Sequence, residues 1–240
     1  MKTIFYENWT NNRIQKITSI FGESWFANKK ILELGCAHGD IGKHFLKLGA
    51  DVTFSDANEE FLAGIVSDLE PYNFRATTIK LDQNKKYDLQ QSYDLVLHLS
   101  VLYHIENWKQ DLKCAMKHSN ILILETHVNP FPLNHPKNKI ISHYNSLYTG
   151  RSEIKKFSYF NQESIENEIV KLGGRFLRLD SSDLNATWSW DSSNRLLRHI
   201  YDWDYDLSIH ERESDERYNR ISAPNSRETH FRRMYLILNK

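Results

Sequence analysis

Apolar residues in this chain of 240 residues form short continuous runs, separated by stretches in which they recur at helical spacing. A short apolar run bounded by turn residues is typical of a buried strand. Seven runs fit this description: Ile31–Leu34, Asp51–Asp56, Thr78–Asp82, the run that starts at Tyr93, Asn120–Glu125, Arg175–Leu179 and Phe231–Leu238. We therefore predict seven strands, of which the last closes the sheet in the antiparallel direction.

Apolar positions three and four residues apart predict helices between these strands. Ile41, Phe45 and Leu48 would share one face of a helix that Gly49 ends, and Asn58 is a suitable N-cap for the next helix. The predicted helices are residues 8–21, 40–48, 58–69, a stretch around 108–116, and 164–172. Helices that alternate with strands indicate an α/β protein whose parallel sheet is covered on both faces.

Composition narrows the class of protein. Hydrophobic residues make up 40% of the chain, enough for a substantial core and too many for a disordered protein. The 31 basic and 31 acidic residues cancel, whereas a dedicated nucleic-acid binder is usually more basic. The two cysteines have no paired or metal-type spacing, so we expect no metal site and a reducing compartment. No secretory or membrane-length apolar run is present, so we expect a cytoplasmic protein.

The segment 31–40 combines a predicted strand, a glycine-rich turn and the start of a helix. Gly35 can adopt backbone angles closed to other residues, and the small Ala37 and Gly39 let a ligand approach the main chain and the helix N-terminus. Glu33 stands in the strand just before the turn. A carboxylate there would repel the pyrophosphate of a dinucleotide, but it would attract a ligand with an amino group and a sulfonium, such as S-adenosylmethionine.

Asp56 ends the next predicted strand and lies 21 positions after Gly35. A carboxylate at this place can accept hydrogen bonds from both hydroxyls of a ribose. Dinucleotide-binding enzymes show a similar spacing, but their fingerprint requires Gly-x-Gly-x-x-Gly. Here Ala37 and Asp40 occupy the second and third glycine positions. The pattern therefore fails twice, and a nicotinamide-dependent dehydrogenase becomes a distant alternative.

Together, Glu33, Gly35, Ala37, Gly39 and Asp56 resemble the motif of the class I S-adenosylmethionine-dependent methyltransferases, an acid followed by Gly-x-Gly-x-Gly. The resemblance continues as far as the fifth predicted strand. It implies a Rossmann-like, doubly wound and mostly parallel sheet of seven strands with an antiparallel C-terminal strand. It also implies S-adenosyl-L-methionine as the cofactor and S-adenosyl-L-homocysteine as the product.

The resemblance assigns further candidate cofactor contacts. Cys36 lies within the glycine turn and Ala57 follows Asp56, so both are expected at the cofactor. In the family, the end of the third strand delivers a side chain to the adenine amino group, a role that would fall on Asp82. The loop after the fourth strand passes under the methionine part of the cofactor, so Leu99 is expected to contact it.

Two segments interrupt the alternation of helices and strands. Residues 129–160 open with a loop that holds three of the five prolines, and residues 183–227 are rich in tryptophan and tyrosine. We expect both insertions to form a cap over the cofactor mouth of one domain that spans residues 1–240. Its other parts would be a helical N-terminal segment at 1–28, a cofactor-binding half at 29–128 and a closing strand at 228–240.

Two histidines are candidate catalytic bases. His104 follows the fourth predicted strand, where a side chain can reach the cleft at the carboxyl ends of the strands, and many small-molecule O- and N-methyltransferases carry a histidine there. Histidine has the ordinary pKa nearest neutrality, which suits removal of a proton from a hydroxyl. His38, in the glycine turn, is the second candidate. The structural alternative for His104 is a partly buried ring that holds its loop by hydrogen bonds.

Five aromatic residues are candidate substrate contacts. Tyr103 could line the acceptor pocket, while Tyr6 and Trp9 could fold over it from the N-terminal segment. Trp188 and Trp190 would share a face if their segment is extended, which indicates a possible stacking platform. Ordinary packing is the alternative for all five, because aromatic side chains most often serve burial.

From these features we predict a methyltransferase that acts on a small-molecule acceptor, at a hydroxyl. The first alternative is an RNA methyltransferase, because residues 101–104 also resemble a loop in enzymes that modify the tRNA wobble uridine. It requires the arginines of the C-terminal third to gather on one face: Arg212, Arg217, Arg220, Arg227, Arg232 and Arg233. The second alternative is a catalytically silent adenosylmethionine-binding protein. No membrane partner and no particular oligomeric state is predicted.

Overall fold

The structure is a computed structural model that describes residues 4–71, 75–129, 160–179, 189–190, 196–197 and 231–239. Within these ranges, side chains are not described for residues 4–8, 129, 160–161, 189–190, 196–197 and 231. The two predicted cap insertions therefore lie almost entirely outside the described residues.

Helices occupy the predicted places in the described part of the chain. Their bounds are α1 Ile4–Phe21, η1 Glu23–Phe26, α2 Asp40–Lys47, α3 Glu59–Leu69, η2 Leu102–His104, α4 Trp108–Lys117 and α5 Gln162–Lys171, where η marks a 3-10 helix. All five predicted helices are present, and α1 begins earlier than its apolar pattern indicated. None of the described helices combines the length and hydrophobicity that a membrane crossing requires.

Strands also follow the predicted pattern. Their bounds are β1 Lys30–Leu34, β2 Asp51–Asp56, β3 Ala76–Lys80, β4 Tyr93–Leu99, β5 Ser119–Asn129, β6 Phe160–Asn161, β7 Arg175–Leu179, β8 Ser189–Trp190, β9 Leu196–Leu197 and β10 Phe231–Leu238. The differences from prediction that bear on the site are at the ends of β3 and β5. β3 ends at Lys80, so Asp82 lies beyond the strand, and β5 continues past Glu125 to Asn129.

Seven strands form the main sheet in the order β3-β2-β1-β4-β5-β10-β7, and the short β6 pairs with the end of β5. The pairs from β3 to β5 are parallel, whereas β10 is antiparallel to both β5 and β7. The predicted Rossmann-like, mostly parallel sheet with an antiparallel C-terminal strand is confirmed.

The strand order reverses direction at β1. The chain runs from β1 outward to β2 and β3, and then returns to the other side of β1 to form β4. Loops after β1 and β4 therefore leave the sheet toward opposite faces and open a crevice at the carboxyl ends of these two strands. In open α/β sheets this is where ligands bind.

Two hydrophobic cores sandwich the sheet. The core on the side of α1 to α3 includes Phe26 and Phe45, whose rings stack with centroids 4.4 Å apart. The core on the other side packs α4 and α5 and includes Leu112 and Ile165. Asn58 caps α3 as predicted, because its side-chain oxygen accepts a hydrogen bond from the backbone of Glu60 at 3.0 Å. The two cores hold the strand ends of the crevice rigidly.

A buried ion cluster joins α1 to the middle of the sheet. Arg13 donates from Nε and Nη2 to the two carboxylate oxygens of Glu125 on β5, at 2.9 and 3.0 Å. Arg232 on β10 donates to the same carboxylate and to Ser100, which follows β4. Burial by itself would raise the pKa of Glu125, but the two guanidinium groups outweigh it and lower that pKa to about 2. The cluster therefore stays ionised at neutral pH.

Removal of one cation from this cluster should strongly destabilise the fold. We expect Arg13→Ala to lower the free energy of unfolding by about 3 to 5 kcal/mol, because it leaves a buried carboxylate only partly compensated. Lys80→Ala is the matched control, since Lys80 pairs with Glu59 at the surface, where such a pair contributes at most about 1 kcal/mol. Urea unfolding of both variants measures the difference, and equal losses would contradict a structural role for the cluster.

Candidate active site

The turn after β1 has the backbone conformation that a ligand-binding loop needs. Gly35 and Gly39 have φ values of 60° and 68°, and between them Ala37 adopts a φ of 46°, which is uncommon for a residue with a β-carbon. A β-carbon on Gly35 would stand only 2.5 Å from a methyl carbon of Val101, so the close approach of the β4 loop requires glycine here. The left-handed Ala37 is a local strain of the kind that concentrates at ligand sites.

A cleft of about 150 Å³ opens beside this turn, at the switch between β1 and β4. Its walls come from four parts of the chain. Strand β1, its turn and α2 supply Glu33, Leu34, Gly35, Cys36, Ala37, Asp40 and Ile41. The end of β4 and its loop supply Leu99, Ser100 and Val101, and α1 supplies Trp9. The lining therefore combines an acidic wall, formed by Glu33 and Asp40, with the ring of Trp9 and several apolar side chains.

Glu33 is buried in the acidic wall with one backbone partner. Its Oε2 accepts a hydrogen bond from the amide of Gly42 in α2 at 2.9 Å, and its other oxygen has no partner among the described residues. Burial is the main cause that raises the pKa of Glu33 from 4.5 to about 8, and the carboxylates of Asp40 and Asp56 act in the same direction, against the hydrogen bond from Gly42. A cationic ligand in the cleft would offset both effects and favour the ionised carboxylate.

Asp56 holds the turn from the end of β2. Its Oδ2 accepts from the amide of Ala37 at 3.0 Å, and its Oδ1 accepts from the amide of Asn58 at 2.9 Å. Each carboxylate oxygen can accept more than one hydrogen bond, so Asp56 keeps acceptor capacity for a diol while it orders the turn. Ala57 follows it as an exposed residue at the same edge of the sheet.

The other predicted cofactor residues lie in different settings. Leu99 and Cys36 are buried in the cleft wall, and burial raises the pKa of the Cys36 thiol, so it is not a reactive thiolate. Asp82 lies in a turn beyond β3, where Lys85 and the amide of Asn84 bind its carboxylate at 3.1 Å each. The hydrogen bond from Lys85 is the main cause that lowers the pKa of Asp82.

The predicted catalytic and substrate residues are only partly brought together. Tyr103 and His104 belong to η2, just beyond the cleft wall formed by Val101, and their rings are in contact, tilted by 39° with centroids 4.1 Å apart. His38 is exposed on the glycine turn and packs against Phe61 of α3, with ring centroids 4.9 Å apart. Neither histidine lines the described cleft, although His38 directly follows the lining residue Ala37 and His104 lies three positions after Val101.

Trp9 is placed in the cleft wall as the sequence analysis expected. Trp188 lies outside the described residues, and the side chains of Tyr6 and Trp190 are not described. The backbone of Trp190 forms part of β8, which pairs in an antiparallel manner with β9. These three residues remain predictions.

Sequence reasoning overlooked four cleft or support residues. The sequence analysis used Asp40 only as a departure from the dinucleotide pattern, although an acid next to the glycine turn also indicates a residue at the ligand site. Ser100 and Val101 directly follow Leu99 in the loop that the family places at the cofactor. Glu125 is an isolated acid in an apolar run, which is the same signal that singled out Glu33.

These features fit S-adenosylmethionine. The buried Glu33 would hold the ammonium group, the glycine turn admits close approach to the backbone, and Asp56 would accept from the ribose hydroxyls. Fold and site together define a class I methyltransferase. The match to a methyltransferase domain model over residues 6–174 is consistent with both, and the chain belongs to this methyltransferase family.

Known relatives agree with this assignment. Over 112 residues the chain is 30% identical to the probable S-adenosyl-L-methionine-dependent methyltransferase TehB of Haemophilus influenzae. The aligned part covers 44% of this chain and 39% of that protein, so the chain spans less than half of the relative's length.

Solved structures share the fold at low identity. One is magnesium protoporphyrin IX methyltransferase from Synechocystis PCC 6803, crystallised with S-adenosylmethionine. It superposes with a TM-score of 0.60 at 12% identity, and the alignment covers 100% of this chain and 86% of the neighbour's chain. Another is a methyltransferase from Clostridium acetobutylicum, with a TM-score of 0.59 at 12% identity and coverage of 98% of this chain and 92% of the neighbour's chain. The cofactor of the family is S-adenosylmethionine, as the sequence predicted.

Substitution of the buried acid should separate stability from binding. Since burial raises the pKa of Glu33, the unfolded state loses this proton near pH 4.5 and the folded state only near pH 8. The free energy of unfolding of the native chain should therefore fall, relative to Glu33→Gln, as the pH rises between these values. Chemical unfolding at pH 5 and pH 8.5 measures this change.

The same variant should bind S-adenosylhomocysteine about tenfold more weakly or worse at pH 8.5, because an ionised acceptor of its ammonium group is lost. Glu106→Gln, at an exposed carboxylate outside the cleft, is the control for both measurements. Calorimetry that finds equal affinity in the native chain and Glu33→Gln would exclude the cofactor role of Glu33.

Two helical glycines offer a matched test of close packing around Glu33. A β-carbon on Gly42 would lie 2.5 Å from Glu33 Oε2 and from a ring carbon of Phe54, whereas one on Gly64 would meet no atom within 4 Å. We expect Gly42→Ala to destabilise the protein by about 1 to 3 kcal/mol and to weaken cofactor binding. Gly64→Ala should stabilise it by up to about 1 kcal/mol. Thermal unfolding and calorimetry compare the two, and similar behaviour would contradict this packing.

Proposed function

We propose that this methyltransferase transfers the methyl group of S-adenosylmethionine to a hydroxyl of a small-molecule acceptor. The observation that carries the proposal is the composition of the cleft lining. Glu33 and Asp40 suit the cationic cofactor, while Trp9, Leu99 and Val101 add aromatic and apolar surface. A lining of two carboxylates and apolar side chains fits a compact organic acceptor better than a polyanionic chain.

The names of two structural neighbours support a small acceptor. One neighbour is a magnesium protoporphyrin IX methyltransferase. Another neighbour is DhpI, whose structure is a complex with S-adenosylmethionine and HEP. It superposes with a TM-score of 0.55 at 12% identity, and the alignment covers 71% of this chain and 80% of the DhpI chain. These neighbours share the fold of this chain, and we infer the acceptor class of this chain from theirs.

The RNA alternative loses part of its basis within the described residues. This alternative requires six arginines to lie on one face of the protein, and Arg232 and Arg233 are two of them. Both are buried, with 4% and 5% of their surface exposed. Arg232 binds Glu125 and Ser100, and Arg233 donates to Gln162 at 2.7 Å. Buried guanidinium groups with such partners do not serve as a phosphate-binding surface.

Bound S-adenosylmethionine supplies an electrophilic methyl group, so the protein has mainly to align the acceptor and manage its proton. Trp9 would form one side of the acceptor position. His104 would accept the hydroxyl proton, with its ring oriented by contact with the ring of Tyr103. Burial raises the pKa of Tyr103, so its phenol stays protonated and can donate to the acceptor. As part of this proposal, residues 129–160 and 183–227 cap the cleft of a single domain.

Labelled methyl transfer tests the acceptor class. The protein is incubated with methyl-labelled S-adenosylmethionine and, in parallel, with a pool of small hydroxylated metabolites and with bulk tRNA. We expect label in the small-molecule fraction only. Label in the tRNA would establish the RNA alternative instead. Binding of S-adenosylhomocysteine without label in any fraction would establish a silent binding protein.

With an acceptor identified, His104→Asn should lower kcat by about 100-fold or more, because the proton acceptor is lost. The decrease of kcat toward acidic pH should disappear in this variant, while the affinity for S-adenosylhomocysteine stays unchanged. His38→Asn, at the exposed turn position, is the control and should retain kcat. A full kcat in His104→Asn would exclude His104 as the base.

A further inference from the structure

Two left-handed residues that carry a β-carbon border the cleft. Within the described part of the chain, three residues other than glycine have a positive φ: Asn28, Ala37 and Ser100, at 61°, 46° and 59°. Such angles are uncommon because the β-carbon crowds a carbonyl oxygen. Ala37 and Ser100 line the cleft, whereas Asn28 precedes β1 at the opposite, amino end of the sheet. The conformation of Ser100 therefore needs a local cause.

That cause lies in the buried ion cluster beside the β4 loop. The amide of Ser100 donates to the backbone oxygen of Glu125 at 2.8 Å, and its hydroxyl donates to Glu125 Oε2 at 2.9 Å. Arg232 Nη1 donates to the same hydroxyl and to Glu125 Oε1. Both partners are buried, where water competes little for hydrogen bonds. These contacts offset the steric cost of the left-handed conformation.

Arg232 has the geometry that this contact needs. Its guanidinium group presents N–H donors in a fixed planar fork, so it binds the Ser100 hydroxyl and the Glu125 carboxylate together. A guanidinium group can only donate, so the Ser100 oxygen accepts from Arg232 and directs its own proton to Glu125. The last strand of the sheet thereby fixes a loop residue that precedes Arg232 by 132 positions.

The left-handed conformation of Ser100 sets the course of the loop after β4. An extended residue would continue the strand, whereas Ser100 turns the chain so that Val101 packs over Gly35. A methyl carbon of Val101 lies 2.5 Å from the point where a β-carbon on Gly35 would stand. The Val101 oxygen then accepts from the amide of His104 at 2.8 Å, within η2. One backbone angle thus places a wall of the cleft against the glycine turn.

We propose that Arg232 and Glu125 are positioning residues for the cofactor site and act through Ser100. They hold Ser100 in its left-handed conformation before a ligand binds, so the wall of the cleft is already in place. A cluster that only stabilised the fold would change the stability of the protein and leave the affinity of the folded protein for its cofactor unchanged. The proposal concerns the cofactor alone and does not depend on the identity of the methyl acceptor.

Two substitutions at Ser100 separate the hydroxyl from the backbone angle. Ser100→Ala and Ser100→Gly remove the same hydrogen bonds, but only glycine adopts a positive φ without a steric cost. We expect Ser100→Ala to bind S-adenosyl-L-homocysteine about five- to thirtyfold more weakly than the native chain, because its loop relaxes in the unbound protein. Ser100→Gly should stay within about threefold of the native affinity. Calorimetry measures both affinities, and thermal unfolding confirms that each variant is folded.

Asn28 provides the matched control. It is left-handed too, and it is exposed at the end of the sheet away from the cleft. Asn28→Ala and Asn28→Gly carry the same difference in backbone preference, so their stabilities should differ while both bind S-adenosyl-L-homocysteine like the native chain. If Asn28→Ala loses as much affinity as Ser100→Ala, lowered stability alone weakens binding and the proposal is wrong.

Arg232→Lys tests whether the cluster acts through Ser100. Lysine keeps the charge but not the fork, so this variant should bind S-adenosyl-L-homocysteine more weakly than the native chain. Addition of Ser100→Gly should remove that loss, so that the double variant binds as Ser100→Gly does alone, although it unfolds at a lower temperature than the native chain.

Three results would overturn the proposal: native affinity in Arg232→Lys, an equal effect of Arg232→Lys with serine or glycine at position 100, or equal affinities of Ser100→Ala and Ser100→Gly. The two Ser100 variants decide the matter by themselves if Arg232→Lys does not fold.

Discussion

The carboxylate of Glu33, buried at the carboxyl end of β1, is the constraint around which the site is built. Among the described residues its donor is the amide of Gly42, and the contact is so close that α2 needs a glycine at that position. Burial leaves the acid with a pKa near 8, which disfavours the empty, ionised site. A cationic ligand relieves this cost, so the fold carries a built-in preference for a ligand of that charge.

Comparison with Glu125 shows why position within the sheet decides the role of an acid. Both residues interrupt apolar strands and both are buried. Glu125 is bound by Arg13 and Arg232, which hold its pKa near 2 and make it a structural ion. Glu33 receives, within the described part of the chain, a single backbone amide and borders the cleft, so its charge remains available to a ligand. The first acid ties α1, β5 and β10 together, and the second serves binding.

Asp56 constrains the turn from the end of the neighbouring strand. Its two carboxylate oxygens accept hydrogen bonds from the amides of Ala37 and Asn58, so one side chain holds both the glycine turn and the start of α3. Each oxygen can accept a further hydrogen bond, so the same group keeps acceptor capacity for a ligand. The turn is thus ordered before a ligand binds, and little rearrangement is needed when one does.

The sequence by itself determined the order of helices and strands, the glycine turn, and the pair of acids at Glu33 and Asp56, because these depend on periodicity and on local backbone geometry. Only the tertiary structure decided that Asp40 and Ser100 share the cleft, that Arg13 pairs with Glu125 across 112 positions, and that Val101 approaches Gly35. Such contacts depend on which strand ends become neighbours when the sheet reverses at β1. Spacing along a chain carries no record of distances across a sheet.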